Sequence, residues 1–249
     1  MDRGRSSGIA TFFCEAALDV GRIAELSESE AHHARVRRLE AGARARLVDG
    51  AGTVAAGVLV KVTKSGATVE VDEVWHVPQP PAVHLLPPVG DRDRMLWLAE
   101  KATELGLTSW QAVRWHRSQG VAPRGEGESF RTKMRARMIS ALTQSGGAWL
   151  PTLLPETNVD AAAEAPGPGS RFLLDGAGEP ILSFPLTAPL TIAVGPEGGL
   201  DDDERERLMR AGWIPVSLGS ATLRFETAGT AALAIARAAL AANVESARG

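Results

Sequence analysis

A single cysteine, Cys14, stands in 249 residues, and one thiol cannot close an intramolecular disulfide. A secreted, disulfide-stapled framework is excluded, and a reducing compartment, by default the cytoplasm, is the expected location. Long apolar runs are also lacking. The longest, residues 51–60 and 228–236, stop at Lys61 and Arg237, short of the roughly 18 to 20 residues of a membrane helix, so no membrane association is expected. Arg3 and Arg5 precede only a brief apolar stretch before Glu15, too short for a signal-peptide core. Histidines occur only at 32, 33, 76, 84 and 116, which gives no zinc-ligand spacing. His32 and His33 would point about 100° apart on a helix, and no metal is expected. There is no G-x-x-x-x-G-K-[ST] or G-x-G-x-x-G phosphate loop, and no G-x-S-x-G nucleophile elbow.

What is present is a globular composition: 44% apolar and 23% charged residues, over a length that suits one or two domains. The net charge of −3 hides a segregation. Residues 81–150 carry 10 basic against 6 acidic side chains, whereas 151–249 carry 7 against 13. Two basic clusters emerge. One is His32, His33, Arg35, Arg37, Arg38, Arg44 and Arg46; the other is Arg114, Arg117, Arg124, Arg131, Lys133, Arg135 and Arg137. Either could follow a phosphate backbone or be a solvated helical face, and the pair together favours a nucleic acid. The candidate RNA contacts are His33, Arg35, Arg37, Arg38, Arg114, Arg117, Arg131 and Arg135.

Residues 45–49, 53–63 and 67–75 alternate as half-buried strands do, with Asp49-Gly50 and Ser65-Gly66 turns between them. A small antiparallel β domain over 1–77 is expected, then a stiff linker at Pro78-Gln79-Pro80-Pro81. From 82 to 249 strand and helix signals take turns. Apolar runs at 83–89, 107–115, 171–175, 190–194 and 213–218 alternate with helical patterns at 92–105, 130–144, from Asp201, and 226–242. That order predicts an α/β domain with a mainly parallel sheet, and the segment 165–170 reads as a surface loop.

In such a sheet, ligands sit off the carboxyl ends of strands, so the loops after Asp175, Val194 and Leu218 are the places to look. The first unusual loop is Val194-Gly195-Pro196-Glu197-Gly198-Gly199-Leu200. Its glycines permit close backbone approach to a ligand. Asp201, Asp202, Asp203 and Glu204 follow at once and would repel a phosphate, so a neutral or cationic ligand fits better than an anion, and a plain tight turn is the other reading. The second runs Leu218-Gly219-Ser220-Ala221-Thr222-Leu223-Arg224-Phe225-Glu226-Thr227-Ala228. Arg224 could be an ion-pair partner and Glu226 or Thr227 a helix-start residue. The small residues from Gly229 to Ala234 permit close helix packing, including against a second subunit.

These two loops, in this order, resemble the signature of the SPOUT superfamily, and within it the RsmE family of small-subunit ribosomal RNA (uracil-N3) methyltransferases. Lys101-Ala-Thr-Glu-Leu-Gly106, Gln144-Ser-Gly146 and His33-x-x-Val-x-Arg38 followed by Asp49-Gly50 extend the resemblance over most of the chain. It implies a PUA-like β-barrel over 1–77 that helps hold RNA, a 82–249 α/β domain with a deep trefoil knot, and a homodimer. It also implies S-adenosylmethionine held by Leu174, Val194, Gly195, Pro196, Glu197, Gly198, Gly199, Leu218, Gly219, Leu223, Thr227 and Ala228, with 16S rRNA or the assembled small subunit as partner.

On this reading Arg224 favours the uracil N3 anion that attacks the methyl group, and Glu226 or Glu197 accepts the proton, orients Arg224 or orders the backbone. The chain departs from the family pattern at Arg37, Thr143, Gly147 and Ala221. Another RNA target, or a non-catalytic RNA-binding assembly factor, is the alternative.

Overall fold

The computed structural model describes residues 9–120, 124–164 and 169–246. The chain forms two compact units, one of Met1–Gln79 with Ile139–Leu150, the other of Pro80–Met138 with Pro151–Gly249. Most of the expected surface loop at 165–170 lies outside the described residues.

The first unit contains β1 (Ala10–Phe13), β2 (Ile23–Leu26), α1 (Glu28–Val36), β3 (Arg44–Val48), β4 (Thr53–Val62) and β5 (Ala67–His76). They form one sheet in the order β1-β3-β4-β5-β2, antiparallel except for β1 beside β3. The inward rows of the alternating strands supply Leu47, Leu59, Val69 and Val71, which bury Phe12 together with Ala31 and Ala34 of α1. A second apolar cluster, Phe13, Val48 and Val54, closes on Leu142 and Ala148, which is why residues 139–150 join this unit. The Asp49-Gly50 turn is the docking point. Asp49 Oδ1 accepts from the Ala51 and Thr53 amides, Gly50 O accepts from Leu150 N at 2.8 Å, and Trp149 Nε1 donates to Val77 O at 2.9 Å. Gly52, at φ +95°, has room for nothing larger, since a Cβ would lie 2.4 Å from the Trp149 ring.

The second unit begins with β6 (Val83–Leu86), α2 (Arg92–Glu104), β7 (Ser109–Trp110), β8 (Val113–Arg114) and α3 (Glu128–Ser145), whose last turns belong to the first unit. It continues with β9 (Thr152–Leu153), β10 (Thr157–Asn158), α4 (Val159–Ala163), β11 (Ser170–Pro180), β12 (Leu190–Val194), α5 (Asp202–Arg210), β13 (Ile214–Ser217) and α6 (Phe225–Ser246). Six strands make a sheet in the order β13-β11-β12-β6-β7-β9, and every pairing in it is parallel. The apolar run 107–115 splits between β7 in this sheet and β8, which pairs with β10.

α6 packs on α2 through its small residues. A Cβ on Gly229 would lie 3.1 Å from Leu98, and Ala228, Ala232, Leu233 and Ala236 are buried within the chain. The close packing that the sequence permits is thus made inside the unit. Arg237 anchors the far end. Its guanidinium donates to the carbonyls of Pro81, Leu105 and Gly106, satisfying the C-terminus of α2, where a cation is also favoured by the helix dipole.

One buried carboxylate makes stability depend on pH. Glu30 of α1 is 8% exposed, and its Oε2 has no hydrogen-bond partner among the described residues. Burial pushes its pKa up from 4.5 to about 7, opposed by the Phe13 amide that donates to it. The folded chain therefore holds this proton over a range where the unfolded chain has lost it, and stability falls as pH rises from about 4.5 to 7. At about 1.4 kcal/mol per pH unit, the loss at pH 8 is about 3 kcal/mol. Glu30→Gln is expected to recover most of that at pH 8 and to change little at pH 4, as measured by denaturant unfolding at the two pH values; equal effects at both would contradict it.

Candidate functional site

Parallel pairing fixes where the chain's unusual loops emerge. Leu174 of β11 is in register with Val194 of β12 on one side and Val216 of β13 on the other, and Ala193 is in register with Leu86 of β6. The glycine-rich loop after Val194, the loop 218–224 after β13 and the approach to α2 after β6 leave the same sheet edge. There β11 also breaks its register, between Leu174 and Glu179. The cofactor candidates Leu174, Val194, Gly195, Pro196, Glu197, Gly198, Gly199, Leu218 and Gly219 thus lie on three adjacent strand ends. Leu223 is partly exposed on the second loop, while Thr227, exposed, and Ala228, buried, occupy the first turn of α6.

The glycine-rich loop is a tight turn with Gly199 N donating to Pro196 O at 2.8 Å. Gly195 leaves room for Leu200, whose Cδ1 would lie 2.4 Å from a Cβ there. By contrast, Gly199 at φ +68° and Gly219 at φ +135° face open space, with nothing within 4 Å of a Cβ position.

The acidic start of α5 is internally occupied. Asp201 Oδ1 accepts from Glu204 N and Glu204 Oε2 from Asp201 N, a reciprocal capping box. The other two oxygens are also used: Asp201 Oδ2 meets His116 Nδ1 at 2.5 Å, and Glu204 Oε1 accepts from His116 N at 2.7 Å. His116, Asp201 and Glu204 gather metal-ligand atom types within 4.8 Å, but all four carboxylate oxygens already have donors. The hydrogen bond that its ring donates to Asp201 and the charge of Glu204 raise the His116 pKa; the Glu204 amide, then His116, lower that of Asp201.

Arg94, in the first turn of α2, was not legible as a site residue. It pairs with Glu197 of the glycine-rich loop, and its Nε lies 3.9 Å from Glu226 Oε1 of α6, so one guanidinium joins both signature loops. Its partners lie more than a hundred residues away in sequence, and no local pattern points to them. Arg224 precedes α6 by one position; its carbonyl accepts from Ala228 N at 2.9 Å, while its exposed side chain makes no hydrogen bond or ion pair with the described residues.

The proposed RNA contacts divide. Arg114 is paired with Glu126 at 2.8 Å and Glu156 at 2.5 Å, and Arg131 donates to Leu153 O. Arg117 donates to Gly198 O at 2.8 Å, and Arg135 is exposed on α3. Arg35 donates to Thr63 O, and His33 packs edge-on against Phe12. The side chains of Arg37 and Arg38 are exposed and make no hydrogen bond or ion pair with a described residue.

Residues 77–237 match the RNA methyltransferase domain model, and 26–72 match the RNA methyltransferase PUA domain. The ribosomal RNA small subunit methyltransferase E of Mycobacterium bovis is 31% identical over 235 residues, 89% of this chain and 88% of that protein. The Synechocystis protein of the same name is 30% identical over 84% of this chain and 71% of its own length.

The chain belongs to the ribosomal RNA small subunit methyltransferase E family.

The Neisseria gonorrhoeae member, whose crystal structure is bound to S-adenosyl methionine, superposes with a TM-score of 0.83 at 26% identity, covering 92% of this chain and 97% of that one. The fold is therefore that of this family, a PUA domain with an α/β methyltransferase domain. Arg38, one of the proposed RNA contacts, has an unusual backbone. It closes α1 in a Schellman motif, with Leu39 N donating to Ala34 O and Arg38 N to Arg35 O, and sits at φ +55°, where glycine is the ordinary residue. An arginine there costs about 1 kcal/mol. Arg38→Gly is expected to raise the melting temperature by a few degrees while weakening RNA binding and lowering its salt slope by about 1. Thermal unfolding and filter binding against salt check this; unchanged RNA affinity would remove Arg38 from the interface.

Proposed function

We propose that the protein methylates N3 of a specific uridine in 16S rRNA of the small ribosomal subunit, with S-adenosylmethionine as methyl donor. The observation that carries this is the bare backbone at Gly199 and Gly219, on two loops that leave the same sheet edge, with Arg224 exposed on the second of them. That cradle suits the donor: it offers neutral backbone and an acidic helix start, which tolerates a sulfonium cation and disfavours phosphate. The residues expected to hold it are Leu174, Val194 to Gly199, Leu218, Gly219, Leu223, Thr227 and Ala228. When bound, the donor supplies an electrophilic methyl group.

The chain's own residues supply orientation and charge. Uracil N3–H is a weak acid whose anion is the nucleophile, and Arg224, unpaired with described residues, is available to favour that anion. Glu197 pairs with Arg94, and Glu226 Oε1 lies 3.9 Å from the same guanidinium while its Oε2 is buried without a hydrogen-bond partner among the described residues, so we read Glu197 and Arg94 as fixing the two loops against each other and leave Glu226 as a group that orients Arg224 or takes the proton. Family membership supports a homodimer, a knotted C-terminal domain and a cytoplasmic setting as parts of the same proposal. No described helix is long and apolar enough to cross a membrane.

The test is methyl transfer from labelled S-adenosylmethionine to small subunits that lack native uridine N3 methylation, read by nucleoside mass analysis. New 3-methyluridine is expected, falling at least about a hundredfold with Arg224→Ala, the scale of losing one charge-stabilising donor. Cofactor binding without transfer would point to another RNA target, and neither binding nor transfer to a non-catalytic RNA-binding protein.

A further inference from the structure

Three consecutive residues, Trp115, His116 and Arg117, reach respectively the start of the glycine-rich segment, the helix start just beyond it, and Gly198 within it. Trp115 is 1% exposed, and its Nε1 donates to Val194 O at 3.1 Å, at the last residue of β12. Arg117 Nη1 donates to Gly198 O at 2.8 Å, and the aliphatic part of its side chain lies 3.5 Å from a Cβ position on Gly198. His116 holds the far side twice, through its amide to Glu204 Oε1 and its ring to Asp201 Oδ2. The tripeptide follows β8, a strand outside the sheet that carries the loop, so the restraint comes from an independent element.

A loop with three glycines between 195 and 199 has more backbone freedom to lose on binding than one with side chains at those three positions. An external tether removes part of that freedom beforehand and so strengthens binding without touching the ligand. We infer that Trp115, His116 and Arg117 are positioning residues that pre-order the glycine-rich loop for the cofactor, and that Arg117 serves this loop rather than an RNA phosphate. This rests on the proposed cofactor role of the loop.

The His116 arm is charge-dependent. Asp201 and Glu204 face its ring and favour the protonated form, and Arg207 opposes them. Because these partners raise its pKa, the charged contact is complete at low pH and is lost as pH rises through the folded-state pKa.

The experiment compares the full-length chain with Arg117→Ala, Arg117→Lys and His116→Gln, using three readouts: amide hydrogen exchange across 195–200 without ligand, calorimetric Kd for S-adenosylmethionine, and RNA affinity against salt. Arg117→Ala is expected to speed loop exchange and raise the Kd about tenfold, the scale of one charge-assisted hydrogen bond. Arg117→Lys recovers most of both, and the RNA salt slope stays unchanged. In the unsubstituted chain the Kd rises from pH 6 to pH 8, and His116→Gln flattens that profile. Unchanged exchange and Kd in Arg117→Ala would overturn the inference, as would a salt slope lowered by about 1 at constant Kd, which would make Arg117 a phosphate ligand. If the unsubstituted chain bound no S-adenosylmethionine, the proposed function would fall, and loop exchange alone would decide whether the tether exists.

Discussion

The parallel pairing of β12 with β6 on one side and β11 on the other is the constraint from which the site follows. All five residues of β12 are buried, and a strand covered on both faces must be continuously apolar, as Leu-Thr-Ile-Ala-Val nearly is. Parallel neighbours cannot be joined by tight hairpins, so each connection crosses over and returns. Every strand therefore ends at the same edge, and loops distant in sequence become neighbours without any direct attraction between them. A slip of one residue in β12 would invert its side chains and remove the alignment of Val194 with Leu174.

Charge then shapes that edge. The first turn of α5 carries Asp202, Asp203 and Glu204 after the Asp201 cap, which favours the helix dipole and would be costly if Glu204, 1% exposed, lacked donors. Both of its oxygens have one. The acids are thus structural at the helix and electrostatic toward the loop before it. Arg94, from a third element, pairs with Glu197 and brings its Nε to 3.9 Å from Glu226 Oε1.

The legible parts of the sequence were those whose cause is local. β12, the capped start of α5 and the Asp49-Gly50 turn each carry their reason within about ten residues: an apolar run, an acid at the cap, or an Asx turn with glycine. α1, β1 and β2 carried weaker marks, since β2 has four residues and leaves Ile23 half exposed. Residues 139–150 could not be assigned to the first unit from pattern alone. Their reason is the Trp149 ring packed over Gly52 and its Nε1 on Val77 O, contacts that no periodicity encodes. This places the Gln144-Ser-Gly146 motif, and the departures at Thr143 and Gly147, in the same unit as the PUA-domain residues 26–72.

Counting basic residues marks candidate RNA-facing regions only coarsely, because pairing removes charges from the count. In the second cluster Arg114, Arg124 and Arg137 are matched to Glu126, Glu156 and Glu100, so the basic excess of residues 81–150 overstates the positive surface available there. Of the arginines in the first cluster Arg44 is matched to Asp72, Arg35 and Arg46 are spent on backbone carbonyls, and Arg37 and Arg38 remain. An exposed ion pair contributes little to stability, yet its arginine can contact a phosphate only by giving up its partner. An arginine kept at positive φ with a free guanidinium costs the fold energy, and a fold-only account supplies no compensation for it. That asymmetry is the physical reason to weigh Arg38 above its more numerous neighbours when assigning the RNA surface.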